Sequence, residues 1–180
     1  MITKKIVIIG GPSTGKSSVI NALKAKDFTC FEEISRQVIL DARKDGINQL
    51  FLEKPLLFSE LLLKGREQQF IDAGNSAKEF VFLDRGIPDT VAYMDYVGQD
   101  YPEVFTNSCK NNIYDYVFVL APWKDIYVQD NERYETFEQA QEIHKALLKT
   151  YKKYGYKLID VPFGNIEERI NHIINVIKAN

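Results

Sequence analysis

Long apolar runs and clustered cysteines are both missing from this sequence of 180 residues. The apolar run nearest its beginning covers only residues 6–9, which is too short for the core of a signal peptide or for a membrane span. Its two cysteines, Cys30 and Cys109, stand far apart with no histidine cluster beside them, which argues against a disulfide framework or a zinc site. We therefore expect a cytoplasmic protein without membrane attachment.

A surplus of basic charge is missing as well, because the formal net charge is −2 at pH 7. The chain as a whole has no general attraction for nucleic acid or for an anionic membrane, and we expect neither as a partner. Any anionic ligand must therefore be held by individual lysines and arginines. The length, with 45% hydrophobic and 27% charged residues, is that of one globular domain over residues 1–180.

Apolar, strand-like segments alternate along the chain with helical ones. The first, third and fourth of five candidate strands are nearly continuous apolar runs, as in parallel strands that are covered on both faces. Capping patterns from Thr136 to Gln139 and from Asn165 to Glu168 predict where the last two helices begin. This alternation predicts a three-layer α/β/α fold with a five-stranded parallel sheet. The candidate strands are residues 5–9, 28–31, 80–83, 116–120 and 157–161.

The first candidate strand runs directly into a match to GxxxxGK[ST], at the end of a strand where ligands of such sheets bind. Glycines let the backbone turn tightly and bring its N–H groups against phosphate oxygens, and the next helix presents further N–H groups to the same anion. Lys16 adds a positive charge for the β- and γ-phosphates, and Ser17 offers a hydroxyl to Mg²⁺. The pattern predicts binding of ATP or GTP with Mg²⁺. The residues concerned are Gly10, Gly11, Pro12, Ser13, Thr14, Gly15, Lys16, Ser17 and Ser18.

Asp84 and Arg85 follow the third candidate strand. An acid at the end of an apolar strand is typical of the Walker B arrangement, in which the carboxylate faces the Mg²⁺ shell or the attacking hydroxyl. Arg85 can bind a phosphate or a substrate oxygen through its planar guanidinium. The alternative is an ordinary exposed Asp-Arg-Gly turn, but the phosphate loop upstream favours the functional interpretation.

Three further candidates follow the other strands. Glu33 and Arg36 come after the second strand, and on a helix they would share one face and approach one substrate together; a helix-end acid in an ordinary ion pair is the alternative. Residues 121–135 form a polar segment with aromatic side chains, predicted as a lid over the phosphates, in which Arg133 is the only arginine. An unremarkable surface loop is the alternative there. The turn at residues 161–164 is a candidate resting place for the nucleotide base, with packing of Phe163 in the core as the alternative.

Taken together, these motifs resemble those of the P-loop small-molecule kinases, which include nucleoside and nucleotide kinases and the ribosylnicotinamide kinase domain of bacterial NadR. More closely, they resemble the NadR/AAA-type ATPase group. The resemblance covers nearly the whole chain. It implies a P-loop NTPase fold, and roles toward the acceptor and the phosphates for the acid and arginine at residues 84 and 85. It rests on residues 10–17, 33–36 and 84–86, with support from 130–133, 161–162 and 167–169.

The expected function is that of a kinase that uses Mg²⁺ and ATP to phosphorylate the hydroxyl of a small, nucleoside-like acceptor. Catalysis then consists of alignment and charge neutralisation. One alternative is a nucleotide-dependent regulatory or binding module with slow hydrolysis of ATP or GTP. Another is a kinase for the 5′-hydroxyl of nucleic acid, which would need a basic stripe that the sequence lacks. Catalysis is assigned to Lys16, Glu33, Asp84, Arg85 and Arg133, acceptor binding to Glu33, Arg36 and Arg85, and metal binding to Ser17 and Asp84.

Overall fold

The protein is described by a computed structural model that covers residues 2–127 and 135–179. Five parallel strands form one sheet in the order β2-β3-β1-β4-β5. The strands are β1 (Lys4–Ile9), β2 (Thr29–Phe31), β3 (Phe80–Asp84), β4 (Tyr116–Val119) and β5 (Leu158–Asp160). The helices are α1 (Lys16–Ala25), α2 (Ser35–Lys44), α3 (Leu50–Glu53), α4 (Pro55–Gly74), α5 (Ile87–Val97), α6 (Glu103–Asn111), α7 (Phe137–Lys153) and α8 (Ile166–Lys178), with a 3₁₀ turn at Lys124–Ile126.

Strand β1 lies in the centre of the sheet because its side chains are apolar on both faces. Residues 6–9 are fully buried, and the strand hydrogen-bonds to β3 on one side and to β4 on the other. Its Ile8 stands in register with Asp84 and with Phe118. This register brings the carboxyl ends of the three central strands to one level, where the segments that follow them meet.

Helices cover both faces of the sheet. Helices α1 and α8 pack on the face that carries Ile6, Ile8 and Phe82. Helices α4, α5 and α7 contribute to the core on the opposite face, which carries Val7 and Val81. Because successive side chains of a strand point to opposite faces, the two sets alternate along β1 and β3. The predicted three-layer α/β/α fold with a five-stranded parallel sheet is thus confirmed.

The predicted elements agree closely with those observed. Each of the five strands lies within one residue of its predicted bounds at either end. The Thr136 hydroxyl accepts a hydrogen bond from the Gln139 N–H at 3.2 Å, and the Asn165 side chain accepts one from the Glu168 N–H at 2.9 Å, so both predicted caps are formed. Within residues 2–127 and 135–179, no helix is long and apolar enough to cross a membrane.

Candidate functional site

The phosphate loop joins the end of β1 to the beginning of α1, and its shape depends on glycine. A Cβ atom on Gly10 would lie 2.5 Å from the backbone oxygen of Leu120, which follows β4, and 2.8 Å from the Thr14 hydroxyl. Gly15, the last residue before α1, has φ 85°, a conformation that side chains disfavour. The loop therefore lies in close contact with the end of β4. It leads directly into the amino end of α1, where backbone N–H groups remain available to an anion.

The ammonium group of Lys16 lies inside this loop. Its Nζ donates hydrogen bonds to the Gly11 carbonyl at 2.7 Å and to the Thr14 hydroxyl at 3.4 Å. Burial, together with the positive charge of Arg85, lowers the pKa of Lys16 to about 7. Ser17 follows in the first turn of α1 with an exposed side chain, as does Ser18. An ammonium held against loop oxygens and an exposed hydroxyl beside it are the two groups that a nucleotide–Mg²⁺ complex requires at this point.

Asp84, the last residue of β3, is buried with one carboxylate oxygen left without a hydrogen bond. Only 4% of its surface is exposed, and its Oδ1 atom has no hydrogen-bond partner in the described part of the chain. Burial raises the pKa of its carboxyl, although the charges of Lys16 and Arg85 act in the opposite direction. An unpartnered buried carboxylate oxygen is costly for the free protein. It is well suited to a cation or to a hydroxyl that donates a hydrogen bond.

The donor set fits magnesium bound together with phosphate rather than a metal held by protein alone. Residues 2–127 and 135–179 contain no cluster of three or more metal-ligating histidine, cysteine, aspartate or glutamate side chains. Magnesium in phosphate sites is usually held by one or two carboxylates together with phosphate oxygens and waters. Asp84 can supply such a carboxylate, and Ser17 can supply a hydroxyl.

Arg85 connects the phosphate loop to the neighbouring strand ends. Its backbone has φ 73°, and its N–H donates to the Ile8 carbonyl at 3.0 Å, which fixes this strained conformation. Its Nη1 atom lies 3.4 Å from the Gly10 carbonyl and 3.5 Å from Asp89 Oδ1, and its Nε atom forms an ion pair with Glu33. Burial alone would lower the pKa of this guanidinium, but the carboxylates of Glu33 and Asp89 raise it. Arg85 therefore stays charged beside the loop.

Glu33, which follows β2, is held between two arginines. Its Oε1 atom accepts from Arg66 Nη2 at 3.3 Å and from the Ser35 N–H at 3.1 Å, and Oε2 pairs with Arg85. Burial by itself would raise the pKa of Glu33, but Arg66 and Arg85 hold it below its ordinary value. Because Glu33 lies before α2 and Arg36 lies in its first turn with an exposed side chain, helical spacing does not relate the two. The predicted role of Arg36 in acceptor binding stays a prediction.

Sequence reasoning missed the residues that complete this network. The Arg66 side chain is 5% exposed, and its Nη1 atom donates to the Thr90 hydroxyl at 2.8 Å. Asp89 Oδ2 accepts from the Gly86 N–H at 2.9 Å and from the Tyr151 hydroxyl at 2.6 Å. The spacing of four residues between Arg85 and Asp89 was available as a signal, since α5 begins between them. Nothing in the sequence around Arg66 distinguishes it from an exposed arginine.

The predicted lid is described only in part. Residues 128–134, including Arg133, lie outside the described residues. At the beginning of the segment, the Trp123 ring stacks on the ring of Phe163, with centroids 5.1 Å apart and planes at 24°. Phe163 is 55% exposed in the turn after β5. An aromatic surface therefore lies between the ends of β4 and β5, at the turn predicted to receive the base.

A family profile described as "AAA domain" matches residues 5–169. The chain belongs to this AAA domain family. The matched stretch runs from β1 to α8 and includes the phosphate loop, Glu33 and the Asp84–Arg85 pair. Curated protein sequences gave no match.

Solved structures with the same fold include several kinases. Deoxyadenosine kinase from M. mycoides, solved with dCMP and dCDP, has 18% identity and a TM-score of 0.69, with 98% of this chain and 100% of that chain covered. NadR in complex with NR has 18% identity and a TM-score of 0.76, but the match covers 99% of this chain and only 50% of that one. Thymidylate kinase from Candida albicans has 18% identity and a TM-score of 0.71, with 99% and 92% covered. At such identities, the likeness establishes the fold.

Proposed function

We propose that this protein is a phosphotransferase that uses Mg²⁺ and ATP to phosphorylate the hydroxyl of a small, nucleoside-like acceptor. One observation carries the proposal: the phosphate loop, the buried carboxylate of Asp84 with its unpartnered Oδ1 atom, and the charged pair Arg85–Glu33 converge at the carboxyl ends of adjacent strands. Nucleoside and nucleotide kinases among the proteins of similar fold support the same class of reaction.

On the donor side, the backbone N–H groups of residues 11 and 13–16 would hold the phosphates of ATP, and Lys16 would neutralise them. Mg²⁺, when bound, polarises the transferring phosphate and offsets its charge. Ser17 and Asp84 are the residues proposed to hold it. The base would rest against the exposed ring of Phe163, which Trp123 supports from the other side.

On the acceptor side, Glu33 is proposed to orient the hydroxyl. Its carboxylate is kept ionised by Arg66 and Arg85, so it can accept a hydrogen bond from the acceptor without first losing a proton. Arg85 reaches both this carboxylate and the Gly10 carbonyl of the phosphate loop, so its positive charge would lie between donor and acceptor. Phosphoryl transfer demands little more from the protein than this positioning and charge stabilisation.

The remaining predictions belong to the same proposal. Residues 1–180 are proposed to act as one domain in the cytoplasm, with ATP or GTP and a small molecule as partners rather than nucleic acid or membrane. Residues 121–135 are proposed as the lid, and Arg36 and Arg133 as further phosphate- or acceptor-binding residues.

The test is to incubate the protein with γ-labelled ATP, Mg²⁺ and a panel of nucleosides and related vitamins, and to follow the label. Label in a phosphorylated acceptor supports the proposal. Slow release of free phosphate, unaffected by any acceptor, would instead identify a nucleotide-dependent module. Lys16→Ala should abolish turnover and weaken ATP binding in calorimetry, whereas Lys26→Ala, which removes an exposed lysine just after α1, should change neither.

A further inference from the structure

Arg169 is a buried charge that the proposed reaction does not use. It lies in the first turn of α8, at the end of the motif Glu-Glu-Arg, and is 1% exposed. Within residues 2–127 and 135–179, no carboxylate forms an ion pair with it, and its Nε atom has no hydrogen-bond partner. By contrast, the guanidinium groups of the buried Arg66 and of the partly buried Arg85 both pair with Glu33.

The guanidinium of Arg169 contacts the backbone of the phosphate loop. Its Nη2 atom donates to the Thr14 carbonyl at 3.0 Å. Its Nη1 atom lies 2.7 Å from where a Cβ atom on Gly15 would stand, so the glycine makes room for it. With its oxygen bound to Arg169, the Thr14–Gly15 peptide is held in one orientation, with its N–H directed away from the arginine. The arginine therefore fixes the part of the loop that leads into α1.

Stability of the free protein does not explain this arrangement. A buried charge without a counter-ion is costly, and one hydrogen bond to a neutral carbonyl offsets only part of that cost. Helix α8 is already anchored by Ile170, Ile173 and Ile177, which are buried against the sheet. The position would accommodate an apolar side chain at less cost. What the free protein lacks is a negative charge near Thr14 and Gly15, and a polyphosphate in the loop would supply one.

We propose that Arg169 is a positioning residue for nucleotide binding. It holds the Thr14–Gly15 backbone in its phosphate-binding shape, and the phosphates of the ligand balance its charge. This rests on the proposed function only in requiring that the loop binds a polyphosphate. The ligand chemistry involved is the phosphate chain alone, without the base or the acceptor.

The test measures two properties of the wild type and of three variants. The first is the affinity for inorganic tripolyphosphate in the presence of Mg²⁺, measured by calorimetry, and the second is the melting temperature without ligand. Arg169→Met removes the charge and keeps a long side chain. Arg169→Lys keeps the charge but loses the planar guanidinium. Lys178→Met removes the same charge from an exposed position at the other end of α8 and serves as the matched control.

We expect Arg169→Met to weaken tripolyphosphate binding by about tenfold or more, from the loss of a buried charge and of the loop contact. Arg169→Lys should lie between this variant and the wild type, and Lys178→Met should bind as the wild type does. The melting temperature of ligand-free Arg169→Met should equal or exceed that of the wild type, which a purely structural role would not allow.

Two results would overturn the inference. One is tripolyphosphate binding by Arg169→Met within twofold of the wild type. The other is a fall in its melting temperature large enough to account for the lost binding. Failure of the wild type itself to bind tripolyphosphate is a different outcome, because it would refute the phosphate-binding function as well.

Discussion

Replacing Glu33 by glutamine tests the centre of the charge network with almost no change of shape. The amide can still accept from the Ser35 N–H and from Arg66, but it carries no charge toward Arg66 or Arg85. Both arginines then keep their charges in a site where the Glu33 side chain is only 22% exposed. The substitution should therefore lower both the activity and the stability.

The size of the stability change follows from the contact with Arg85. Arg66 and the Ser35 N–H keep the amide oxygen as an acceptor, but the amide NH2 then faces Arg85 Nε and cannot accept from it. A donor left without its acceptor away from water costs about 1–3 kcal/mol, so the free energy of unfolding should fall by about 2 kcal/mol. For a chain of this length, that corresponds to a drop in melting temperature of about 4–8 °C. If Glu33 orients the acceptor hydroxyl, kcat should fall about 10²- to 10⁴-fold.

The neighbouring Glu32 provides the matched control. It pairs with Lys24 at the surface, and its side chain is 66% exposed, so Glu32→Gln removes the same charge without touching the network. The melting temperatures of the two variants are compared by thermal unfolding, and their kcat values by initial rates at saturating substrate. Equal melting temperatures for the two variants would refute the assignment of Glu33 to a buried, functional ion network.

The effect of Glu33→Gln should also depend on pH, with a sign fixed by the lowered pKa. The ordinary glutamate value is 4.5, and the folded value of Glu33 lies below it because Arg66 and Arg85 outweigh burial. A carboxylate with a lowered folded pKa stabilises the protein fully above its unfolded value, and this stabilisation is lost as the pH falls through the folded value. The wild type should thus exceed Glu33→Gln in stability at neutral pH and converge with it in acid.

Three further substitutions test the site. Asp84→Asn removes a buried charge whose Oδ1 atom has no hydrogen-bond partner in the described part of the chain. We expect kcat to fall roughly a hundredfold across a Mg²⁺ titration, with ATP affinity only modestly reduced. Wild-type turnover would leave Asp84 as a turn residue. Gly10→Ala places a methyl group 2.5 Å from the Leu120 carbonyl oxygen. Thermal unfolding should therefore show a loss of about 1–3 kcal/mol in stability, and calorimetry should show weaker ATP binding. Arg133→Lys should lower kcat at least about tenfold with little change in the KM for ATP, and an unchanged kcat would contradict a role for Arg133 in phosphoryl transfer.

The sequence was sufficient to predict the sheet and the phosphate loop because both depend on local patterns. Continuous apolar runs specify strands buried on both faces, and glycine spacing specifies the loop. Burial of Arg66 and of Arg169 could not be predicted in this way. Each lies on a helix whose sequence resembles a partly exposed one, and each is buried by a segment far away in the chain, at Glu33 or at Thr14. Such contacts are set by the packing of helices on the sheet.

Arg85 divides the site into two parts that can change independently. The phosphate loop and α8 form one part on one side of the sheet, and Glu33, α4 and α5 form the other. Among the described residues, Arg85 is the side chain that hydrogen-bonds to the Gly10 carbonyl and also pairs with Glu33. A redesign for another acceptor therefore has a natural boundary. Under the proposed function, segments of α4 and α5 could be exchanged with those of a kinase of similar fold while the phosphate loop is left untouched, provided that Arg85 and its left-handed backbone are retained.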